Sequence, residues 1–229
     1  LSYAEIKALA VGNPYIKEKM DLDIQVSKLQ LLKQSFLSQK YEMEDKAVRY
    51  FPNEIKQCEQ RLEDYESDIA LAKANTPPDR EAFPEMQIHD VVYTEKKEAG
   101  QAIIEACKAM KSAEAVLIGR YRGFPMKLSY DSFQKVFVIS MYGNQVYHVP
   151  LGLDIHGNIT RLDNKLQELP DKMLRWQDEL ENLKVQLENA KEEAQKEFPQ
   201  EEELEEKVAR LGELNVLLDM DKKDHVLLD

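Results

Sequence analysis

Ten apolar positions, Leu162, Leu166, Leu169, Met173, Trp176, Leu180, Leu183, Leu187, Ala190 and Ala194, follow one another at alternating intervals of four and three. That is a 3.5-residue period, the repeat that keeps one helix face turned towards a partner helix. Asp163, Glu168, Asp171, Asp178, Glu179, Glu181, Glu188 and Glu192 fall off the seam and suit water. A helix of this length spans roughly 50 Å at 1.5 Å per residue. Burying its seam contributes about 1.5–3 kcal/mol per large side chain before ordering costs. Pro170 lies inside the pattern and marks either a kink or the start of the straight part.

A second seam can cover the first. Ile55, Cys58, Leu62, Tyr65, Ile69 and Ala72 recur at 3, 4, 3, 4 and 3. The chain between the two seams makes such a pair antiparallel. Further back, Leu22, Val26, Leu29, Phe36 and Met43 mark an earlier apolar face, with Lys33 and Lys40 at interior positions. Pro52 removes a helical hydrogen bond and predicts a kink or break at 51–53. The run Asn75-Thr76-Pro77-Pro78 ends this arm. At the start, Ser2 and Glu5 form a capping-box pattern for a short helix to about Ala10. Gly12 stops it, and Asn13-Pro14 opens the next helix. A last helix begins near Pro199-Gln200 and carries Leu204, Val208, Leu211 and Leu218, with a loose end expected from Asp219. Because the chain opens at Leu1 directly on a helix cap, it reads as a piece of something longer.

Between the seams the pattern changes period. Ile88, Val91, Val92 and Tyr93 suggest a strand, and 99–110 an amphipathic helix using Ile103, Ile104 and Cys107. Strand-like runs follow at 115–122, 126–130, 135–142 and 145–149, with Gly143-Asn144 as a tight hairpin signal. An antiparallel sheet of four or five strands with one helix packed on it is the expectation. His156-Gly157-Asn158 reads as a turn leading into the long arm.

Charge narrows the partners. The net charge is −12. Residues 1–85 carry 12 basic and 16 acidic side chains, 86–158 carry 8 and 7, and 159–229 carry 11 and 20. Only the middle segment can approach a phosphate backbone without strong repulsion. No apolar run nears the roughly 18 residues of a membrane span, and no signal-peptide pattern opens the chain. Cys58 and Cys107 lie among apolar neighbours without metal-ligand spacing, as buried, reduced thiols of a cytoplasmic protein do.

Catalytic motifs are lacking. There is no phosphate loop, nucleophile elbow or dinucleotide fingerprint. His89, His148, His156 and His225 form no ligand pattern, so no metal or cofactor is expected. The acidic pairs sit on helix surfaces rather than in a dry cleft. The most suggestive cluster is Gly119-Arg120-Tyr121-Arg122-Gly123-Phe124. On a strand, alternation puts Arg120 and Arg122 on one face. Guanidiniums beside an aromatic ring can grip phosphates and stack on bases. Arg120, Tyr121, Arg122, Lys127 and Lys135, with His148, are therefore the candidate nucleic-acid-binding residues. The competing reading is a solvated strand face with Tyr121 in the core.

Several stretches carry a resemblance. These are Leu1-Ser-Tyr-Ala-Glu-Ile-Lys-Ala-Leu-Ala10 with Gly12-Asn13-Pro14, then Arg120-Tyr121-Arg122-Gly123-Phe124, then His156-Gly157-Asn158-Ile159-Thr160-Arg161-Leu162-Asp163-Asn164, and Phe198-Pro199-Gln200-Glu201. They resemble the C-terminal region of large bacterial proteins of mobile elements that fuse an N6-adenine DNA methyltransferase to an SNF2-like superfamily 2 helicase. The methylase signature is missing here, since Thr76-Pro77-Pro78-Asp79 lacks both its leading amide and its aromatic, and so are the helicase motor motifs. The resemblance implies a non-catalytic accessory region beside helicase and methylase parts, with DNA as partner. Self-association or docking through the helices, without DNA contact, is the alternative. The expected fold is mostly α with an α+β insertion, antiparallel coiled-coil arms carrying a small antiparallel-sheet domain at the tip. Its expected parts are 1–82, 83–157, 158–198 and 199–229.

Overall fold

The computed structural model describes residues 14–79 and 82–226, so the expected helix of residues 2–10 and its caps lie outside the described residues. What it describes is mostly helical, with one six-stranded antiparallel sheet. The helices are α1 (Pro14–Asp45), continued by a wider π-wound stretch (Lys46–Tyr50), α2 (Phe51–Ala74), α3 (Lys96–Ala109), α4 (Ile155–Gln167), α5 (Leu169–Gln195) and α6 (Glu201–Val226). The strands are β1 (Met86–Ile88), β2 (Val91–Tyr93), β3 (Val116–Tyr121), β4 (Phe124–Asp131), β5 (Val136–Tyr142) and β6 (Val146–Pro150). Two compact units result, one of Leu1–Pro52 with Val185–Asp229 and one of Asn53–Lys184. Their limits fall inside α2 and α5. Among the described residues no helix is long and apolar enough to cross a membrane.

Pro52 does not break the helix. The π-wound stretch lies just before it, and the Phe51 N–H donates to the Lys46 carbonyl, one residue further back than in an α-helix. The wider turn makes room for a ring that would otherwise crowd the preceding carbonyl.

In the first unit α1 and α6 lie antiparallel. Arg210 grips both carboxylate oxygens of Glu18, at 2.7 and 3.1 Å. Lys207 donates to Gln25 at 2.6 Å, and Lys33 pairs with Glu201. Between them Val26, Leu29, Phe198 and Leu204 are buried, with Phe36 and Leu211 against them. The two lysines at interior seam positions are thus accounted for. Lys33 finds Glu201, and Lys40 donates to the Lys196 carbonyl at 3.1 Å. Helix α6 continues to Val226, past the loose end expected from Asp219.

The second unit is built on the sheet, in strand order β2-β1-β3-β4-β5-β6. Its covered face presents Met86, Ile88, Tyr121, Phe124, Met126, Leu128, Ile139, Met141, Tyr147 and Val149 to three helices. Helix α2 contributes Ala72, α3 contributes Ile103 and Cys107, and α4 contributes Ile159, Leu162 and Leu166. Six strands and three packed helices replace the expected four or five strands and one helix. One source of the difference is the expected strand of 88–93. It is a hairpin turned at His89, where φ is +51°. Another is His156-Gly157-Asn158, which is helical. Asp154 caps α4 by accepting from the N–H groups of His156 and Gly157.

All ten seam positions from Leu162 to Ala194 are buried or half-buried, but they serve two helices. A turn at Glu168 divides α4 from α5, and Pro170 sits in the first turn of α5, where its missing N–H costs nothing. Leu162, Leu166 and Leu169 belong to the sheet core. Within this unit α5 meets α2 where Cys58 Sγ lies 3.3 Å from the Trp176 carbonyl. Arg61 covers the Trp176 ring at 4.4 Å, and Lys184 pairs with Glu59 at 3.6 Å. Both cysteines are buried and free. Burial pushes the Cys107 thiol up to about 11.

Candidate nucleic-acid interface

The sheet's other face carries the polar alternates of the same strands. Leu117, Lys127, Ser140 and His148 form one cross-strand row over β3–β6. Gln87, Arg120 and Pro125 form the next, over β1, β3 and β4. Arg120 and His148 are exposed and Lys127 is half-buried. The Lys127 ammonium lies 4.7 Å from the centre of the Tyr142 ring, which holds a cation upright beside an aromatic face. Ser140 Oγ and His148 Nδ1 are 2.8 Å apart. Asp131, the one carboxylate of β4, is turned into its own loop, accepting from the N–H groups of Phe133 and Gln134 at 2.9 Å each.

Arg122 is not on that strand face. It is the first residue of a two-residue turn between β3 and β4, with φ of +47°, and Gly123 follows at +86°. Paired positive φ values are the geometry of a tight hairpin turn that twists with its strands. An arginine there is strained relative to Asn or Gly. Its side chain folds back over the end of α2. Nη2 donates to Thr76 Oγ1 at 2.6 Å, and Nη1 reaches Asp163 at 3.4 Å. Nε is buried without a hydrogen-bond partner. The expected alignment of Arg120 with Arg122 by strand alternation is therefore overturned by the turn.

The two arginines meet differently. Both line a shallow cleft of about 400 Å³ together with Asn75, Thr76, Gln87 and Glu85. Tyr121 is fully buried, stacked near Phe83, and its hydroxyl donates to Asp163 at 2.7 Å. Burial, and then the Asp163 charge, push that hydroxyl far above the ordinary phenol range. Tyr121 is a core residue, as the competing sequence reading had it, and offers no ring to a base. Lys135 sits in the β4–β5 turn with φ of +56°, at the end of the sheet opposite to the Arg122 turn.

What remains together is Arg120, Lys127 and His148 on one open face, with Arg122 at its rim. Gln87, Ser140, Tyr142 and Thr76 were not among the sequence candidates. The two-residue alternation of 138–142 is the signal that could have found Ser140 and Tyr142. Among the described residues no three His, Cys, Asp or Glu side chains converge on a possible metal position. No protein-family model, curated protein or solved structure matches this chain.

Proposed function

We propose that this chain is a non-catalytic accessory region that holds DNA by its phosphate backbone through the open face of the sheet. The observation that carries the reading is the grouping of Arg120 and Lys127, with His148, in two neighbouring cross-strand rows that hold no carboxylate; Asp131, at the far end of that face, is taken up by its own turn. Cations spaced across adjacent strands can follow successive phosphates, and the Tyr142 edge and Leu117 offer apolar contact to sugars or bases. Arg122 keeps a secondary role at the rim, since Thr76 and Asp163 already use its fork. On this reading the long helices serve as antiparallel coiled-coil arms that carry the sheet domain. The helicase and adenine-methylase parts of a cytoplasmic parent chain would be its neighbours, as the resemblance implies.

The net charge of −12 makes the binding weak, non-specific and steep in salt. Fluorescence anisotropy with labelled single- and double-stranded oligonucleotides tests it at low salt. Binding that weakens on raising the salt, and weakens again in Arg120→Ala/Lys127→Ala, is expected. Absence of binding to either form at low salt removes the reading.

A further inference from the structure

Helix α1 is apolar on two opposite sides. One side carries Val26, Leu29 and Phe36 into contact with α6 and Phe198. The other carries Ile24, Leu31, Tyr41 and Val48, which are 68, 68, 63 and 73% exposed. Ile24 and Leu31 each lie two positions, about 200°, from the covered Val26 and Leu29. These four are not scattered. In a heptad repeat Ile24 and Leu31 occupy a positions and Tyr41 and Val48 occupy d positions, with Ser27, Gln34, Ser38 and Asp45 filling the rest.

The register of this stripe is its own complement. When two antiparallel helices cross at residue 36, position 24 faces position 48 of the other helix, and 31 faces 41. Every large apolar residue of the stripe then meets another. The flanking e positions are Asp21, Lys28, Ser35, Glu42 and Arg49, all exposed. In the same register Asp21 faces Arg49, Lys28 faces Glu42, and Ser35 faces its own copy. Both charged pairs are of opposite sign. Local ion pairs do not block this. Lys46 holds Glu42 at 2.6 Å and Asp45 holds Arg49 at 3.5 Å, all within α1 and its continuation and all solvent-exposed.

We infer that α1 pairs with α1 of a second copy of this chain, antiparallel and two-fold symmetric, through the face opposite to α6. The contact is isologous, so it closes at a dimer. Ile24–Val48 and Leu31–Tyr41 form its apolar seam, and Asp21–Arg49 with Lys28–Glu42 flank it with opposite charges. The inference is independent of the sheet and of DNA.

Sedimentation equilibrium of the full chain tests it. A dimer is expected at about 100 µM, a concentration that reveals any Kd below it. Leu31→Asp weakens the dimer by at least about tenfold, with the circular dichroism unchanged because Leu31 is two-thirds exposed in the single copy. Lys28→Glu weakens it as well, and Lys28→Glu with Glu42→Lys restores it. Ile24→Cys/Val48→Cys forms disulfide-linked dimers on mild oxidation, and Ile24→Cys alone does not. A monomer at that concentration overturns the inference. So does a dimer insensitive to Leu31→Asp, or one cross-linked by Ile24→Cys alone.

Discussion

Asp68 of α2 accepts a 2.6 Å hydrogen bond from the buried hydroxyl of Tyr147 on β6. The same carboxylate accepts from the N–H groups of Asn144 and Gln145, at 2.8 and 3.0 Å, in the turn between β5 and β6. It is only 2% exposed. One helical side chain therefore closes a hairpin turn and anchors a core tyrosine. Carboxylates that accept several charge-assisted bonds hold their partners more firmly than neutral acceptors do. Asp68→Ala strands two backbone donors and one hydroxyl. We expect it to cost about 3 kcal/mol, read as a lower urea midpoint, while Asp64→Ala, which loses the 2.6 Å bond from the Gln145 side chain and an exposed 3.1 Å bond from Gln60, costs about 1 kcal/mol. Equal effects would mean that the turn is held by its own backbone.

Alkali should unfold this unit earlier than its size suggests. Burial, and then a neighbouring carboxylate (by its charge at Tyr121, by its hydrogen bond at Tyr147), raise both hydroxyls well above an ordinary phenol. The unfolded chain releases these protons near pH 10, whereas the native state keeps them. Stability is thus full below about pH 10 and falls above it, by up to about 1.4 kcal/mol per pH unit for each tyrosine. Urea midpoints measured on both sides of that pH check the slope. Tyr147→Phe lowers stability at neutral pH and flattens the alkaline decline. An alkaline slope unchanged in that variant would contradict the assignment.

How far the sequence could be read is decided by distance along the chain. The Leu162–Ala194 period was legible because helical neighbours are local, and every position on it is turned from bulk water. Its division between α4 and α5 was less so, because Leu162, Leu166 and Leu169 would suit a helix partner or a sheet equally well. The hairpin at Gly143 carried its own turn residues. The Arg122-Gly123 turn did not, since arginine is rare at that φ and is tolerated here by Thr76 and Asp163, 46 and 41 residues away. Asp68 looked like one more solvated acid, since its partners lie 76 to 79 residues further on.

The two arginines of the candidate interface should separate by measurement. Arg122→Ala removes the Thr76 and Asp163 contacts inside the fold. It should cost about 1–2 kcal/mol of stability with only a small change in any DNA affinity. Arg120→Ala touches an exposed side chain and should leave stability within about 0.5 kcal/mol while lowering that affinity. Denaturation and anisotropy on the same two proteins give four numbers. The reverse pattern would move the interface from the sheet face to the turn.

Gly119 tests how closely the two halves of the sheet approach. Its φ is +155°, and a Cβ placed on it would stand 1.9 Å from the Gln87 carbonyl oxygen of β1. It also sits beside the irregularity in the β3–β4 register between Leu117 and Gly119. A carbonyl already in a strand ladder has little room to retreat. Gly119→Ala should therefore push the β1–β2 hairpin off β3 rather than be absorbed. Hydrogen exchange should show amides of 86–93 losing protection while those of β5 and β6 keep theirs. Uniform loss would instead indicate general destabilisation.

In the first unit, ring packing should outweigh the ion pairs that decorate it. Arg210 binds Glu18 through Nε and Nη2 and lowers its carboxyl below the ordinary range, first through the hydrogen bond. Both side chains are about two-fifths exposed, so water and salt recover most of what the pair gains. Arg210→Ala should leave the denaturation midpoint unchanged within error. Phe198 is 9% exposed and sits 5.7 Å from the ring of Phe36, between α1 and the start of α6. Phe198→Ala removes a buried ring and leaves a cavity that two long helices cannot collapse without sliding. That costs about 3–5 kcal/mol, enough to separate the α1–α6 pair. Far-ultraviolet circular dichroism should then show α6 melting before the sheet unit, whose tyrosine signals persist. Equal losses in the two variants would mean that charge, not packing, joins these helices.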